Sequence, residues 1–328
     1  MAAPVNEPYV GARKEIAFTK ETVRGTKATA QAGDWQPHEG FDFRPVVSKI
    51  KDEAAVGHIA ATLNSHLHQK SSEGSIPMRF TKDFVGHIMN LIAGKAPDSS
   101  TDIGDTYRHE WNVKNTNRHL SYTLTVFDPI KGFLAYALGM LNEVSFEFNT
   151  DAIAKANLGM IGGAEEVASG VTNTAYSTQY EYPFFMPQHI TVKIADDLAG
   201  LAAATALDIS GVPFTVSKNA AKRFKLGSEN VADNINQRWG AGGTLEGVYD
   251  TDYFRGLAHA NVKKALGIYF DDGQGNKVEF EFPRVTFEDW SHDTDNNAYM
   301  KNTVAWFAEL DTAEGLCNMA VENLVSSY

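Results

Sequence analysis

Two histidines separated by one residue are the side chains best spaced for metal chemistry. His66 and His68 would share one face of a strand, so both imidazoles could reach the same metal ion. A metal needs a third and a fourth ligand, which neither spacing nor cysteine supplies, and His109, Glu110 and His119 could contribute only if folding brought them together. We therefore expect an exposed loop pair and no metal site, with a metal-dependent hydrolase as the alternative.

An acidic run at residues 293–297 has the spacing with which a calcium loop begins. Asp293, Asp295 and Asn297 alternate, but the sixth position is Ala298 and the twelfth is Val304. An EF-hand loop needs glycine at the sixth position and a bidentate glutamate at the twelfth. The run is therefore interpreted as an acidic turn before a strand around Val304.

The glycine-rich stretches lack the context of a phosphate loop. Residues 159–163 and 240–243 contain glycine clusters, but neither stretch connects a strand to a helix. Gly94 and Lys95 are followed by Ala96 instead of Ser or Thr, so there is no Walker motif. The sequence contains neither a Gly-x-Ser-x-Gly elbow nor a His-Glu-x-x-His motif. We predict that the chain is not an enzyme and has no catalytic, cofactor-binding or metal-binding residues.

Composition restricts the class of protein further. Of 328 residues, 43% are hydrophobic and 21% are charged, which excludes a disordered chain. The formal charge of −12 disfavours nucleic-acid binding through a basic surface. The single cysteine, Cys317, cannot form an internal disulfide. The first residues lack a basic region followed by an apolar one, so no signal peptide is expected, and the apolar stretches 130–141 and 198–207 are too short to cross a bilayer. We therefore expect a soluble, non-secreted protein.

Period-two alternation is the clearest signal for the elements that position these residues. Apolar and polar residues alternate at 120–126, 144–149 and 278–282, and residues 271–276 separate two strands as a hairpin loop. This pattern predicts antiparallel strands with one buried face and one face that is wet or turned toward a partner. Helical signals are fewer: one helix capped by Thr81 or Asp83 and ending at Gly94, and another at 196–206. The predicted fold is mainly β with three or four short helices.

An internal repeat divides the chain into two related halves. The segment beginning at Gly74 resembles the segment beginning at Gly243, an offset of 169 residues. The matched pairs are Ser75 with Thr244, Ile76 with Leu245, Phe80 with Tyr249, Asp83 with Asp252, Phe84 with Tyr253 and Ile88 with Leu257. Each copy is followed by further predicted strands in the same order, as duplication of a supersecondary unit leaves them. We predict a junction at residues 187–190.

The aromatic segment 180–187 lies at that junction. It reads Tyr-Glu-Tyr-Pro-Phe-Phe-Met-Pro and follows a small-residue, polar stretch. One interpretation is a linker that packs across the seam between the halves. The alternative is an anchor for a neighbouring subunit, since aromatic and methionine side chains are enriched in interface cores.

Several short motifs together resemble the tail tube proteins of tailed phages. They include the opening Glu-Thr-Val-Arg-Gly-Thr at 21–26, Gly-Asp-Trp-Gln-Pro at 33–37, and the hairpin at 144–163. Similar motifs recur at 214–219, 224–228, 243–247 and 282–287. The resemblance is a pattern of elements that spans most of the chain.

This resemblance implies a fold and an assembly. It implies two tandem β-sandwich or barrel domains, at 1–188 with an N-terminal arm and a long loop at 48–75, and at 189–328, each with a short flanking helix. The implied function is a structural virion protein whose stacked rings form the hollow tail tube. Because the tube domain is duplicated, trimeric pseudo-hexameric rings are expected, with a hexamer as the alternative.

The resemblance also implies partners and a location. The partners would be other copies of the chain, a tape-measure protein, capping or adaptor proteins at the tail ends, and passing double-stranded DNA bound without sequence specificity. No cofactor and no membrane are expected. The protein would reside in the host cytoplasm before assembly and then in the virion tail.

Three features of the sequence bear on this role. An acidic wall would repel phosphates and let DNA slide. The polar segment 48–75 is either a mobile loop or an arm that docks on the adjacent ring. The main rival is a β-sandwich carbohydrate-binding module, which would need an exposed aromatic platform, whereas the tryptophans are scattered at Trp35, Trp111, Trp239, Trp290 and Trp306.

Overall fold

A computed structural model describes residues 11–53, 61–62, 64–171, 183–293 and 300–328. Its helices are α1 (Val85–Ala93) and α2 (Tyr253–Ala260), with 3-10 turns at Gly11–Arg13, Pro187–His189 and Ala199–Leu201. Strands of the first half are β1 (Glu15–Lys20), β2 (Trp35–Gln36), β3 (Arg44–Asp52), β4 (Asn64–Arg79), β5 (Ser99–Asp102), β6 (Tyr107–Asn112), β7 (Tyr122–Asp128), β8 (Gly132–Glu147), β9 (Lys155–Gly162) and β10 (Glu165–Val167).

The second half contains the remaining ten strands. They are β11 (Ile190–Ala195), β12 (Ile209–Gly211), β13 (Phe214–Ser217), β14 (Ala221–Arg223), β15 (Asp233–Ile235), β16 (Gly240–Val248), β17 (Lys264–Asp271), β18 (Lys277–Asp293), β19 (Lys301–Ala308) and β20 (Asn318–Asn323). The strand pairs of the described residues are antiparallel, apart from a single isolated parallel bridge between Lys70 and Asn230, so the prediction of a mainly β, antiparallel fold is confirmed. In the described part of the chain, no helix is long and apolar enough to span a membrane.

The two halves repeat one order of paired strands. In the first half the order is β1-β7-β8-β9-β4-β3. In the second half it is β11-β17-β18-β19-β16-β13. The sequence repeat matches this order, because Ile76 faces Leu158 across β4 and β9, and Leu245 faces Val304 across β16 and β19. The division into domains at 188 and 189 stays a prediction.

The halves are joined through strand pairing and a common core. β13 pairs with β8 of the first half as well as with β16, and β20 pairs with β6. Phe80 and Phe146 contact Phe270 and Phe280 of the second half, with ring centroids 5.3 and 5.4 Å apart for the pairs Phe80–Phe270 and Phe146–Phe280. One hydrophobic cluster therefore extends through both halves.

Helix α1 ends where the sequence predicts but begins without the predicted cap. Gly94 has φ of 77° and its N–H donates to the carbonyl of Asn90, which is the left-handed end that favours glycine. The N-terminal flanking residue is Phe84, and neither Thr81 nor Asp83 caps the helix through its side chain. Burial of Phe84 and Val85 in the core fixes this end of the helix instead.

Three other expectations differ from the structure. Residues 196–206 form only the 3-10 turn Ala199–Leu201, so the predicted second helix in that segment is wrong. The polar face of β7 is not wet, because Thr123 and Thr125 are fully buried beneath other parts of the chain. The segment 48–75 is not a loop where it is described: β3 and β4 pair from Arg44 with Glu73 to Asp52 with Asn64, and their outer parts are exposed on both faces.

Candidate functional site

Eight strands from both halves form one continuous antiparallel sheet, which we call the central sheet. Its order is β3-β4-β9-β8-β13-β16-β19-β18. Each half supplies four strands, and the β8–β13 pair joins them through Phe146 opposite Phe214 and Val144 opposite Val216. The central sheet thus combines strands from both halves.

One face of the central sheet is apolar and buried. Its side chains pack into the common core, and each has at most 7% of its surface exposed: Ile76, Met78, Val144, Phe146, Ala156, Leu158, Met160, Phe214, Val216, Ala241, Leu245, Phe287, Val304 and Trp306. Phe146 and Phe214 lie with ring centroids 4.6 Å apart, so the apolar layer is unbroken where the halves meet. Burial of this layer stabilises the sheet at roughly 25 cal/mol for each Å² of apolar surface removed from water.

The opposite face is polar, small-residue-rich and at least partly exposed. Register places the following residues on it: Ser75, Pro77, Arg79, Glu143, Ser145, Glu147, Lys155, Asn157, Gly159, Thr215, Ser217, Gly242, Thr244, Glu246, Glu288, Ser291, Asp293, Lys301, Thr303, Ala305 and the apolar Phe307, which is 37% exposed. We call this set the polar face. It is the candidate functional surface, because its period-two pattern continues over both halves.

Acidic side chains outnumber basic ones on the polar face. On the seven strands other than β3, the residues of this set include the five carboxylates of Glu143, Glu147, Glu246, Glu288 and Asp293 against the three cations of Arg79, Lys155 and Lys301. Lys155 donates to the Glu39 carboxylate at 2.6 Å. This hydrogen bond, more than that from Arg79, holds the pKa of Glu39 below its usual range. Part of the positive charge is thus neutralised locally, which leaves the face net acidic.

The Glu-Thr-Val-Arg-Gly-Thr motif at 21–26 forms a buried structural site behind the sheet. The Glu21 carboxylate accepts the N–H groups of Gly25 at 2.7 Å and Leu138 at 2.8 Å. It also accepts the hydroxyls of Ser121 at 2.5 Å and Thr123 at 3.1 Å. Four donors on one carboxylate replace the hydration it loses, since Glu21 is only 6% exposed.

Arg24 of the same motif joins the first half to the second. Its Nε donates to Asp233 at 2.8 Å, and its terminal nitrogens donate to the carbonyls of His119 and Asn234. Asp233 is buried, and Arg118 pairs with its other oxygen at 3.2 Å. The motif therefore fastens the 233–234 segment beside β8, and its role is to support the sheet.

A second buried ion pair crosses the halves near the hairpin loop predicted at 271–276. Lys82 Nζ lies 2.6 Å from Asp272 Oδ2, and both side chains are less than 5% exposed. Burial by itself raises the pKa of Asp272, but hydrogen bonds from Lys82, Gln274 and Asn276 outweigh it, and the pKa of Asp272 is lowered. The charged form of Asp272 thus holds the loop against the first half.

The residues considered for metal chemistry do not come together. His66 and His68 are exposed on β4, which pairs there with β3. His109 is buried and bonded to Ser100 and to the carbonyl of Val325, while His119 is buried beside Lys114. Among the described residues, no three His, Cys, Asp or Glu side chains are grouped as metal ligands.

The other motifs take structural positions. The glycine clusters at 159–163 and 240–243 belong largely to β9 and β16. At Gly243 a Cβ would lie 2.3 Å from the carbonyl oxygen of Pro213, so glycine permits the close approach of β13. Gly94 ends α1. The acidic run begins at the last residue of β18, and residues 294–299 lie outside the described residues.

The described part of the aromatic segment 180–187 packs across the seam between the halves, as one interpretation predicted. Phe185 is 1% exposed, with its ring centroid 5.9 Å from Phe80 and 5.4 Å from Phe270. Its burial leaves it unavailable as an anchor for a neighbouring subunit. Residues 180–182, like the N-terminal arm up to residue 10, lie outside the described residues.

The tryptophans do not form the platform that a carbohydrate-binding module requires. Trp35, Trp111 and Trp306 are at most 2% exposed. Trp239 and Trp290 are half-buried, and Trp290 packs against Tyr249 and His292. In the described residues, therefore, no tryptophan presents a fully exposed ring for stacking on a sugar.

The described residues thus form a β-rich structure organised around a two-faced sheet, and its conspicuous motifs hold that sheet together. The sequence model of the phage tail tube protein family matches residues 11–301. The chain belongs to that family, whose members are structural virion proteins of the bacteriophage tail. No curated protein matches it. The polar face itself was not predicted residue by residue, because only the pairing of both halves defines it.

Proposed function

We propose that this chain self-assembles into stacked rings whose central sheets line the hollow tail tube, with the polar face toward the lumen. The observation that carries the proposal is the continuous central sheet, apolar on one side and polar on the other across both halves. A water-filled channel wall needs such a surface, because the lumen side stays hydrated while the other side packs against the core. Membership of the tail tube family supports the same role.

The repeat of strand order supports two tandem tube domains, at 1–188 and 189–328. Each half contributes four strands to the central sheet, so three chains would supply the strands of a pseudo-hexameric ring. Twenty-four strands spaced about 4.8 Å apart and tilted by about 40° close into a barrel about 50 Å across between backbones. A hexamer of chains would double the strand number and give a much wider tube.

The charge of the polar face suits passage of DNA. The excess of carboxylates on this face repels the phosphates of DNA. Tight binding of a duplex would require a row of cations that displaces its counterions, and this face does not present one. Passing DNA is thus a transient cargo, bound without sequence specificity. This role is structural and requires no catalysis.

The remaining partners follow from the same role. A tape-measure protein would occupy the growing tube, and capping or adaptor proteins would close its ends. The protein would be located in the host cytoplasm before assembly and in the virion tail afterwards. The exposed outer part of the β3–β4 hairpin is the arm that we propose docks on the adjacent ring. Deletion of residues 54–70 should shorten or destabilise tubes, and unchanged tubes would exclude the docking role.

Electron microscopy with lumen labelling tests the main proposal. Purified protein should form hollow tubes that show threefold symmetry with six similar lobes end-on. Ser145→Cys, with biotin-maleimide attached, should bind streptavidin in the unassembled protein but lose access once tubes form, because streptavidin is too large for the channel. Equal capture of tubes and unassembled protein by streptavidin would put the polar face outside. Monomers under every condition would contradict self-assembly.

A further inference from the structure

The segment that follows β20 closes over helix α1 of the first half. Residues 324–328 form neither strand nor helix, and Tyr328 is only 7% exposed. The Tyr328 ring lies against His87 of α1 and His109 of β6, with ring centroids 5.1 and 5.0 Å apart. Gly86 of α1 leaves room for this ring, because an added Cβ would lie 2.3 Å from it. We call residues 324–328 the strap.

Side-chain hydrogen bonds fasten the strap to the first half. His109 Nε2 donates to the carbonyl of Val325 at 2.8 Å. The Tyr328 hydroxyl donates to the carbonyl of Asp83 at 3.0 Å, and Lys20 Nζ donates to the backbone carbonyl of Tyr328 at 2.5 Å. Because the strap belongs to no strand of the described structure, these contacts and the ring contacts keep it in place.

A directed chain of hydrogen bonds connects two of the rings that contact Tyr328. Trp111, whose ring centroid lies 6.1 Å from that of Tyr328, donates from Nε1 to Oδ1 of Asn90 at 2.9 Å. This bond fixes the amide of Asn90, so its Nδ2 donates to the hydroxyl of Tyr122 at 3.1 Å. The Tyr122 hydroxyl then directs its own proton to Nδ1 of His87, 3.0 Å away. We call Trp111, Asn90, Tyr122 and His87 the relay.

The relay requires His87 to be neutral. Its Nδ1 already accepts the proton of Tyr122, so a second proton can bind there only if the Tyr122 hydroxyl turns away. The charged group that faces the half-buried imidazole is the Lys20 ammonium from β1. Its other titratable neighbours are Tyr122 and Tyr328, and His109 contacts the same Tyr328 ring. Burial and the Lys20 ammonium, in that order, lower the pKa of His87 to about 4.

The second half shows that this kind of helix stands without such a cover. In the repeat, α2 is the counterpart of α1, since Phe84 matches Tyr253. At Gly256 of α2 an added Cβ would meet no other part of the described chain within 4 Å, and Tyr253 is 44% exposed. Within the described residues, therefore, no counterpart of the Tyr328 ring packs on α2 at Gly256. The strap is an addition to one copy of the repeat.

We propose that the strap is an acid-released latch: protonation of His87 reverses the end of the relay and frees Tyr328 from α1, while the strands of both halves stay paired. A proton on Nδ1 faces the hydroxyl proton of Tyr122 and adds a positive charge beside Lys20. Tyr122 lies in β7 and Asn90 in α1, so neither moves without breaking backbone pairing, whereas the strap can lift. Lifting the strap lets water solvate the imidazolium. This inference goes beyond the tube and does not depend on it.

The pH range of the latch follows from His87. The pKa of His87 is about 4 in the closed state and about 6.5 when the imidazole is in water. The closed latch is therefore unaffected above about pH 6.5, and the open latch is favoured increasingly as the pH falls below that value. Between these two values the ratio of open to closed chains should rise by up to about 300-fold, the factor that corresponds to this difference in pKa.

Spin labelling tests the latch in the unassembled protein. Ser326→Cys places a nitroxide label on an exposed residue of the strap, and Cys317, which is 1% exposed, should stay unlabelled. The label should be restricted at neutral pH and become mobile as the pH falls below about 6.5, while far-ultraviolet circular dichroism stays unchanged. A label at Thr312→Cys, in an exposed loop outside the strap, should not respond. Tyr328→Ala should make the strap label mobile at every pH.

Two variants decide whether His87 is responsible. His87→Phe keeps a ring against Tyr328, and His87→Gln offers an amide oxygen to the proton of Tyr122; neither new side chain titrates in this range. In each variant the mobility of the strap label should lose its dependence on pH, and if one variant does not fold the other gives the same test. A strap label that does not respond to acid, or one that responds equally in the variants, would overturn the latch. Release accompanied by loss of circular dichroism would overturn it too, because the whole fold would then have opened.

Discussion

The Glu21 carboxylate offers the sharpest test of how the fold is held together. Each of its two oxygens accepts one backbone N–H, from Gly25 or from Leu138, and one hydroxyl, from Ser121 or from Thr123. Glu21→Gln keeps the shape but replaces one oxygen by an amino group. The hydroxyls can rotate to accept from it, whereas a backbone N–H cannot. Either orientation of the amide therefore leaves one backbone N–H facing another donor, that of the exposed Gly25 or that of the buried Leu138.

The size of the effect follows from these contacts. Loss of a hydrogen bond to a charged group costs about 1.5–3 kcal/mol, and an amide that turns its amino group toward the exposed Gly25 avoids the further cost of about 1–3 kcal/mol that an orphaned N–H at the buried Leu138 would add. We expect the free energy of unfolding to fall by about 3 kcal/mol. Leu138 has φ of 57°, so its strained backbone relies on this acceptor. With an unfolding entropy of about 2.1 cal/mol/K per residue over 328 residues, Tm should fall by about 4 °C.

The assay is calorimetry of the unassembled protein, at a concentration where sedimentation shows no rings, because assembly adds its own stability. Glu39→Gln is the matched control. Glu39 is exposed and pairs with Arg79 and Lys155, and such surface pairs contribute about 0–1 kcal/mol. If Glu21→Gln and Glu39→Gln lower Tm equally, the argument that buried donors need this carboxylate is wrong.

Two further predictions concern α1. In Gly94→Ala the new Cβ would lie 2.2 Å from the ring of His119, at a residue with φ of 77°, so the free energy of unfolding measured with denaturant should fall by about 2–4 kcal/mol. The control Gly33→Ala has φ of 92° but open space around it, so its free energy of unfolding should fall by only about 1 kcal/mol. Equal losses in the two variants would contradict the steric reason. Burial lowers the pKa of His87 to about 4, so the unfolded chain takes up a proton that the folded chain refuses, and about 3 kcal/mol should be lost as pH falls from about 6.5 to 4. His87→Phe should flatten this part of the pH profile of unfolding; an unchanged slope would assign it to other groups.

Local patterning was sufficient to predict the strands that face the core on one side. Val144, Phe146 and Phe148 alternate with polar residues and are buried as expected. The same rule failed for β7, because Thr123 is covered by Glu21, a contact between residues far apart in sequence. It failed for β3 and the outer part of β4 as well, since a strand that is exposed on both faces carries no alternation to detect.

The polar face could not be predicted from the sequence as one surface, for a related reason. Polar residues such as Ser145 and Thr244 are recognisable as one face of separate strands. Their union into one surface depends on β13 pairing with β8, a joint between residues about 70 positions apart whose register no local rule specifies. The repeat predicted similar halves, and it did not specify how those halves meet.

The common core also bears on how the gene could be divided. Phe80 lies against Phe270, and Phe146 against Phe214 and Phe280, so each half alone would leave a large aromatic surface in water. Fragments expressed separately should aggregate, and co-expression should recover them through complementation. Cohesion between the halves thus does not depend on the peptide link. A single polypeptide ensures that the two diverged halves are present in equal numbers and that they alternate around the proposed ring.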